Sequence, residues 1–279
     1  MQAISLNDKY YPSILRDSHD APQTLYVVGQ LSNSPMIAVV GSRKPTAYGE
    51  DITYRITKDL ALAGLTIVSG LAYGIDAIAH RATLDAGGTT IAVLGSSLDN
   101  LYPASHRSLA QDIVKCGGAV ISEYPAHTPP RKHHFPARNR IIAGLSQAIL
   151  VPEADARSGS LITAQLGLDE NRLVMAVPGP ITSPRSAGPN NLLKAGAIPV
   201  TSAADVLIAL NLPIPVAKPS PEATPFQQAL VVALKQGSLT TEDLSAMFDV
   251  PVPVLLSELN LLELNGRIRA LAGSQWALA

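Results

Sequence analysis

The residues best suited to chemistry in this chain are cations set beside glycines and one aromatic ring, at the ends of short apolar runs. The densest cluster is Arg131-Lys132-His133-His134-Phe135-Pro136-Ala137-Arg138-Asn139-Arg140. No acid stands between Glu123 and Glu153, yet four Arg or Lys do, and Phe135 is one of only three Phe in the chain. Cations that track phosphates beside a ring that stacks on a base suit single-stranded nucleic acid. The plainer alternative is a solvated basic loop with Phe135 tucked into the core. Further upstream, Gly41-Ser42-Arg43-Lys44-Pro45-Thr46 offers a tight turn and two cations ahead of an expected helix, which favours phosphate. Ser69-Gly70-Leu71-Ala72-Tyr73-Gly74 and Ser158-Gly159-Ser160 also lead into helices. They suit an anion, although for at least one of Ser158 and Ser160 capping alone is the favoured role. The two earlier glycine turns match neither a Walker A loop nor the G-x-G-x-x-G dinucleotide fingerprint.

Three carboxylates, Asp76, Glu123 and Glu153, each follow an apolar run. Together they could hold Mg²⁺ for phosphoester hydrolysis. The simpler reading has them bonding backbone amides or pairing with Arg138, Arg140 or Arg157. Asp76 and His80 stand i, i+4 and are placed to pair. His133 and His134 are adjacent and need not face one metal. Cys116 is the only cysteine, so an intramolecular disulfide is impossible and a Cys-based zinc site is not expected. It lies late in a helical pattern and reads as packing. There is no H-E-x-x-H helix and no G-x-S-x-G elbow. No metal and no cofactor is expected.

These residues need elements to position them. Continuous apolar runs occur at 36–40, 65–68, 89–94, 119–122, 148–151, 173–177 and 197–200. Continuous rather than alternating runs are typical of strands covered on both faces. Helical patterns lie near 48–63, 75–86, 104–116, 159–171, 189–195 and 203–210; in the first, Ile52, Ile56 and Leu60 share one face. The alternation predicts an α/β fold with a mostly parallel, doubly wound sheet, whose ligands bind at carboxyl strand ends.

Five prolines within 211–225 predict a semi-rigid linker. It divides a domain over 1–210, with 1–35 as a lead-in, from a small domain over 226–279. The small domain reads as helices over 225–236, 243–248 and 252–264, then two short strands over 267–278. Three helices and a hairpin form a winged-helix pattern, which usually reads DNA. Here charge argues otherwise. Residues 222–279 hold three cations against six acids, and 252–264 carries Glu258 and Glu263 with no cation. Protein contact, or packing on its own core, is expected instead. Residues 1–221 hold 18 cations against 16 acids, so the larger domain is the better anion binder.

The 279 residues are 47% apolar and 15% charged, enough to build a core, and aromatics are only 4%. The net charge of −1 excludes a uniformly basic coat but not a local patch. Met1–Tyr10 carries charge and no apolar run, and no 18-residue apolar stretch exists. A cytoplasmic protein without membrane attachment is expected.

Taken in order, VVGSRKPTAYG, IVSGLAYGIDAIAH, TIAVLGSSLDNLYP, ISEYP, FPARNRIIAGLS, SGSLITA and AVPG followed by GPNNLLKAGA resemble the bacterial DNA-processing protein A (Smf) family, from about Tyr11 to Ala197 and on past the linker. The resemblance implies an extended Rossmann-like domain that binds single-stranded DNA, dimerises, and loads the recombinase RecA during natural transformation, with no catalysis. Carried over by motif, Arg43 and the FPARNR segment would contact DNA. Phe135 would stack, and Arg138 and Arg140 would neutralise phosphate or brace the loop. Lys44, Ser69, Gly70, Ser158, Gly159 and Ser160 would line the same mouth. Two departures stand out. About 35 residues precede the first expected strand, fewer than the family's frequent leading helical domain needs. Val151-Pro152-Glu153-Ala154 replaces a common V-V-E-A, removing a backbone donor. Two rivals remain: a Rossmann-like enzyme that binds nucleotides or cleaves them with a metal, and a transcription regulator pairing a ligand-sensing α/β domain with a winged helix.

Overall fold

The computed structural model describes residues 1–214, 224–235, 237–271 and 273–278. The chain divides into two compact units, Met1–Ile214 and Pro215–Ala279. Most of the expected linker, residues 215–223, lies outside the described residues.

The lead-in is structured. It forms β1 (Gln2–Ser5), a one-turn α1 (Ser13–Arg16) and β2 (Thr24–Gly29). The continuous apolar runs then become β3 (Met36–Val39), β4 (Thr66–Ser69), β5 (Thr90–Leu94), β6 (Ala119–Ser122), β7 (Ala148–Val151), β8 (Leu173–Ala176) and β9 (Ile198–Pro199). One sheet holds all nine, in the order β1-β2-β6-β5-β4-β3-β7-β8-β9. The pairings from β6 across to β9 are parallel; β1 with β2, and β2 with β6, are antiparallel. Every residue of β3 to β7 is buried, because helices cover both faces.

The periodic segments are α2 (Ala47–Leu62), α3 (Ile75–Asp85), α4 (Arg107–Lys115), α6 (Gly159–Asp169), α7 (Ala187–Lys194) and α8 (Ala203–Ala209); α5 (His134–Leu145) is a further helix that the apolar periodicity does not predict. Ile141, Ile142 and Leu145 of α5 pack into the core on one side of the sheet. Ile56 and Leu60 of α2, with Ile75 and Ala79 of α3, pack on the other. Neighbouring strand residues divide between the two cores, as Ile37 and Ala38 do.

From β3 the chain steps outward through β4 and β5 to β6, then returns to the far side of β3 as β7. The loops after β3 and β7 therefore diverge, opening the crevice where such sheets hold ligands.

The smaller unit contains α9 (Pro225–Leu234), β10 (Leu239–Thr240), α10 (Thr241–Phe248), α11 (Val252–Leu264), β11 (Ile268–Leu271) and β12 (Gln275–Leu278), with sheet order β10-β12-β11. Capping boxes at Thr224/Gln227 and Thr240/Asp243 start α9 and α10. Leu230, Leu244, Leu255, Leu259 and Trp276 form its core. The acids of α11 serve the unit itself: Glu258 accepts from Gln227 Nε2 at 2.7 Å and Glu263 from the Ala270 amide at 2.8 Å. Among the described residues, no single helix is long and apolar enough to cross a membrane.

Candidate functional site

A cleft of about 670 Å³ opens at the β3/β7 divergence. The β3 loop gives Ser42, Arg43 and Lys44, the segment entering α5 gives Lys132, α5 gives Phe135 and Arg138, and the start of α6 gives Ser158, Gly159 and Ser160. Arg43, Lys44 and Lys132 are exposed, and no described side chain forms a hydrogen bond or ion pair with their charged groups. The Arg43 guanidinium instead lies 6.0 Å from the Phe135 ring centre, within cation–π range. Phe135 is half-buried and also meets Tyr102, with ring centres 5.5 Å apart and the planes tilted by 58°. Its seat depends on a missing side chain, since a Cβ on Gly95 would stand 2.9 Å from Phe135 Cδ1.

The two loops at the divergence are tied together. The Ser42 amide donates to the Glu153 carbonyl at 2.7 Å. The Glu153 carboxylate accepts from the Thr46 amide at 2.8 Å and the Thr46 hydroxyl at 2.6 Å, beneath the start of α2. Pro152 is buried, and the bonds around Glu153 are made with it in place. Asp76 is likewise engaged, accepting from the Gly70 and Ala72 amides at 3.0 and 3.3 Å. Burial raises its carboxyl pKa, against the pull of Arg138 and those amides. Glu123 accepts from Arg140 at 2.6 Å. Each of the three carboxylates thus has protein partners. Among the described residues, no cluster of three His, Cys, Asp or Glu could hold a metal.

The expected site residues separate into layers. Arg43, Lys44, Phe135, Arg138, Ser158, Gly159 and Ser160 line the cleft. Arg138, however, is 4% exposed, and its Nη1 donates to the Gly70 carbonyl at 2.8 Å and to the Val93 carbonyl. Burial pulls its pKa down to about 10, and Asp76 opposes that shift. Of the two roles open to Arg138, the geometry favours the brace over a phosphate contact. Gly70 lies behind it, because a Cβ there would come within 2.6 Å of the guanidinium. Ser69 does not reach the mouth; it is fully buried and donates to the Val39 carbonyl at 2.7 Å. Arg140 also stands outside the cleft, gripped by Asp20 at 2.7 Å and Glu123 at 2.6 Å. It faces away because α5 is a helix, which sends neighbouring positions to different sides. Ser158 is the N-cap of α6 and accepts from the Ser160 amide at 3.4 Å.

Arg185, Asp155 and Tyr102 line the cleft without being singled out by the sequence. Arg185, from the loop after β8, donates to Ser42 Oγ at 2.7 Å. Its signal in the sequence is its place beyond the carboxyl end of a parallel strand, where such sheets hold ligands. Tyr102 carries no charge or glycine to mark it.

Fold and cleft define a doubly wound α/β protein with a cationic, aromatic-bearing mouth at its switch point, in a chain that also carries a winged-helix unit. The chain belongs to the DNA recombination-mediator protein A family, whose model matches residues 2–211; a DprA winged helix domain model matches 215–274. It is 41% identical to Protein Smf of Escherichia coli over 97% of this chain and 75% of that protein. The X-ray structure of DNA processing protein A from Streptococcus pneumoniae aligns with a TM-score of 0.70 and 45% identity, over 74% of this chain and 73% of that one. A Helicobacter pylori DNA processing protein A structure, described for its single-stranded DNA binding mode, aligns at 0.66 and 31% identity, over 76% of this chain and 96% of that one.

Proposed function

We propose that the cleft binds single-stranded DNA, with Arg43, Lys44 and Lys132 on phosphates and Phe135 under a base. The carrying observation is the pairing of cations that no described side chain holds by a hydrogen bond or ion pair with a ring held at the same mouth. Gly159 adds support. A Cβ there would meet nothing of the protein, so the fold makes no demand for glycine, whereas close approach of a ligand backbone would. The single-strand mode described for the Helicobacter pylori relative agrees. Ser158 and Ser160 flank this approach, while Arg138 and Gly70 hold Phe135's helix in place.

The family's role as a recombination mediator extends the reading. The chain would act as a homodimer in the cytoplasm, cover incoming strands during natural transformation, and pass them to RecA. None of these steps needs a catalytic group.

The test is binding of fluorescent oligo-dT across a salt series, beside a duplex of equal length. The expected result is a single-strand preference with a steep salt slope. Arg43→Ala should weaken binding and reduce the slope by about 0.7, the value for one phosphate contact on a single strand. Equal or absent binding of both DNAs would overturn the reading. RecA-driven strand exchange with and without the protein then tests the hand-over.

A further inference from the structure

Arg185 and Asp155 both line the cleft, and neither belongs to the glycine turns or the basic helix that first mark it. Arg185 is anchored at two points. Its carbonyl accepts from the Ala154 amide at 2.8 Å, and its Nη1 donates to Ser42 Oγ at 2.7 Å. That leaves most of its five N–H donors uncommitted. The nearest anion is the Asp155 carboxylate, at 3.6 Å from Nη1. The Asp155 side chain is 54% exposed and the Arg185 side chain 30%. At that exposure and distance the pair is loose: the carboxylate is well hydrated and holds the guanidinium by charge rather than by a close fork.

The setting makes this pair unusual. Ser42 neighbours Arg43, so Arg185 meets the same turn that presents the first phosphate cation. Among the described residues, Asp155 is the only acid lining the cleft besides the buried Asp76. An exposed carboxylate at a phosphate mouth repels the ligand, and here it also occupies one of that mouth's arginines.

Resting on the single-strand reading above, we infer that Arg185 is a further phosphate contact and that Asp155 is its stand-in counter-ion, displaced when a phosphate arrives. Asp155 thereby sets how strongly the cleft holds a strand. A phosphate makes shorter, forked bonds to a guanidinium than the loose carboxylate does, so exchange is favourable, yet some attraction is lost each time Asp155 must be released. The device tunes DNA to be held firmly but released readily.

The experiment is a double-mutant cycle in the full chain, read by fluorescent oligo-dT binding at several salt concentrations, with thermal melting to confirm folding. Arg185→Gln should weaken binding and lower the salt slope by about 0.7. Asp155→Asn should tighten binding about two- to fivefold, the range that one exposed charge pair allows. In the Arg185→Gln background most of that gain should vanish. Arg185→Lys keeps the charge without the fork, and should recover the slope but only part of the affinity. An unchanged slope in Arg185→Gln would make Arg185 a brace for Ser42 and overturn the proposal. An equal Asp155→Asn gain with and without Arg185 would show simple repulsion and overturn the counter-ion role. Failure of the wild-type chain to bind oligo-dT would instead sink the parent reading.

Discussion

His80 is fully buried on α3, and its hydrogen bonding identifies its tautomer. The Thr90 hydroxyl donates to the Ile67 carbonyl at 2.7 Å, so toward His80 Nδ1, also 2.7 Å away, it can only accept. Nδ1 therefore carries the proton, and the buried Nε2 has no hydrogen-bond partner. Burial first, then the nearby His106 and Arg138, push the pKa down from 6.5 to about 3. The unfolded chain thus binds a proton below pH 6.5 that the folded chain refuses until about pH 3. The stabilising effect of neutral His80 is complete above pH 6.5 and drains away as pH falls through that window. One such proton changes stability by about 1.4 kcal/mol per pH unit. Urea unfolding should show a loss of about 2 kcal/mol from this residue between pH 6.5 and 5. His80→Gln should be less stable at pH 7 but should lack this component, so the gap between the two proteins narrows as pH falls. A constant gap would refute it.

At the scale of elements, α5 carries the site, and its two key residues should fail differently. Phe135→Ala should lose about 1–3 kcal/mol of single-strand binding, the worth of one base stack, with melting little changed, because the ring is only half-buried. Arg138→Ala should instead lower stability by about 3 kcal/mol, since it takes the donor from the buried Gly70 and Val93 carbonyls and a cation from near the buried Asp76. Melting curves beside oligo-dT titrations separate the two, and equal losses of stability would contradict this division. This helix was also the least legible element in the sequence. Its apolar residues, Ile141, Ile142 and Leu145, cluster in its second half. In its first turns the inward position is filled by the charged Arg138, which breaks the periodicity, and Pro136 looks like a loop signal although a first helical turn tolerates it. By contrast, the seven parallel strands and the three helices of the smaller unit were readable because unbroken apolar runs and regular spacing announce them. Arg43 and Phe135 were legible through their neighbours. Ser69 and Arg140 share the same composition cues but point elsewhere, and only the backbone geometry tells them apart.

At the scale of the whole molecule, each compact unit contains its own core, and the cleft draws its lining entirely from the larger one. A chain ending at Ile214 should therefore fold and keep oligo-dT affinity within about twofold at matched salt, since the exposed cations remain. Residues 215–279 alone should fail to bind duplex DNA, as the acids of α11 offer phosphates no attraction. Gel-shift titration of both fragments checks this, and tight duplex binding by the smaller fragment would restore a DNA-reading role for it. The knot of bonds around Glu153 has one more consequence. With both diverging loops already clasped by one residue, the mouth is assembled before any strand arrives, so little order remains to be imposed on the protein upon binding. On the proposed reading, the entropy lost in the encounter falls on the flexible DNA and on the exposed cationic side chains rather than on the loop backbone, and the same mouth can accept one strand after another without refolding between them.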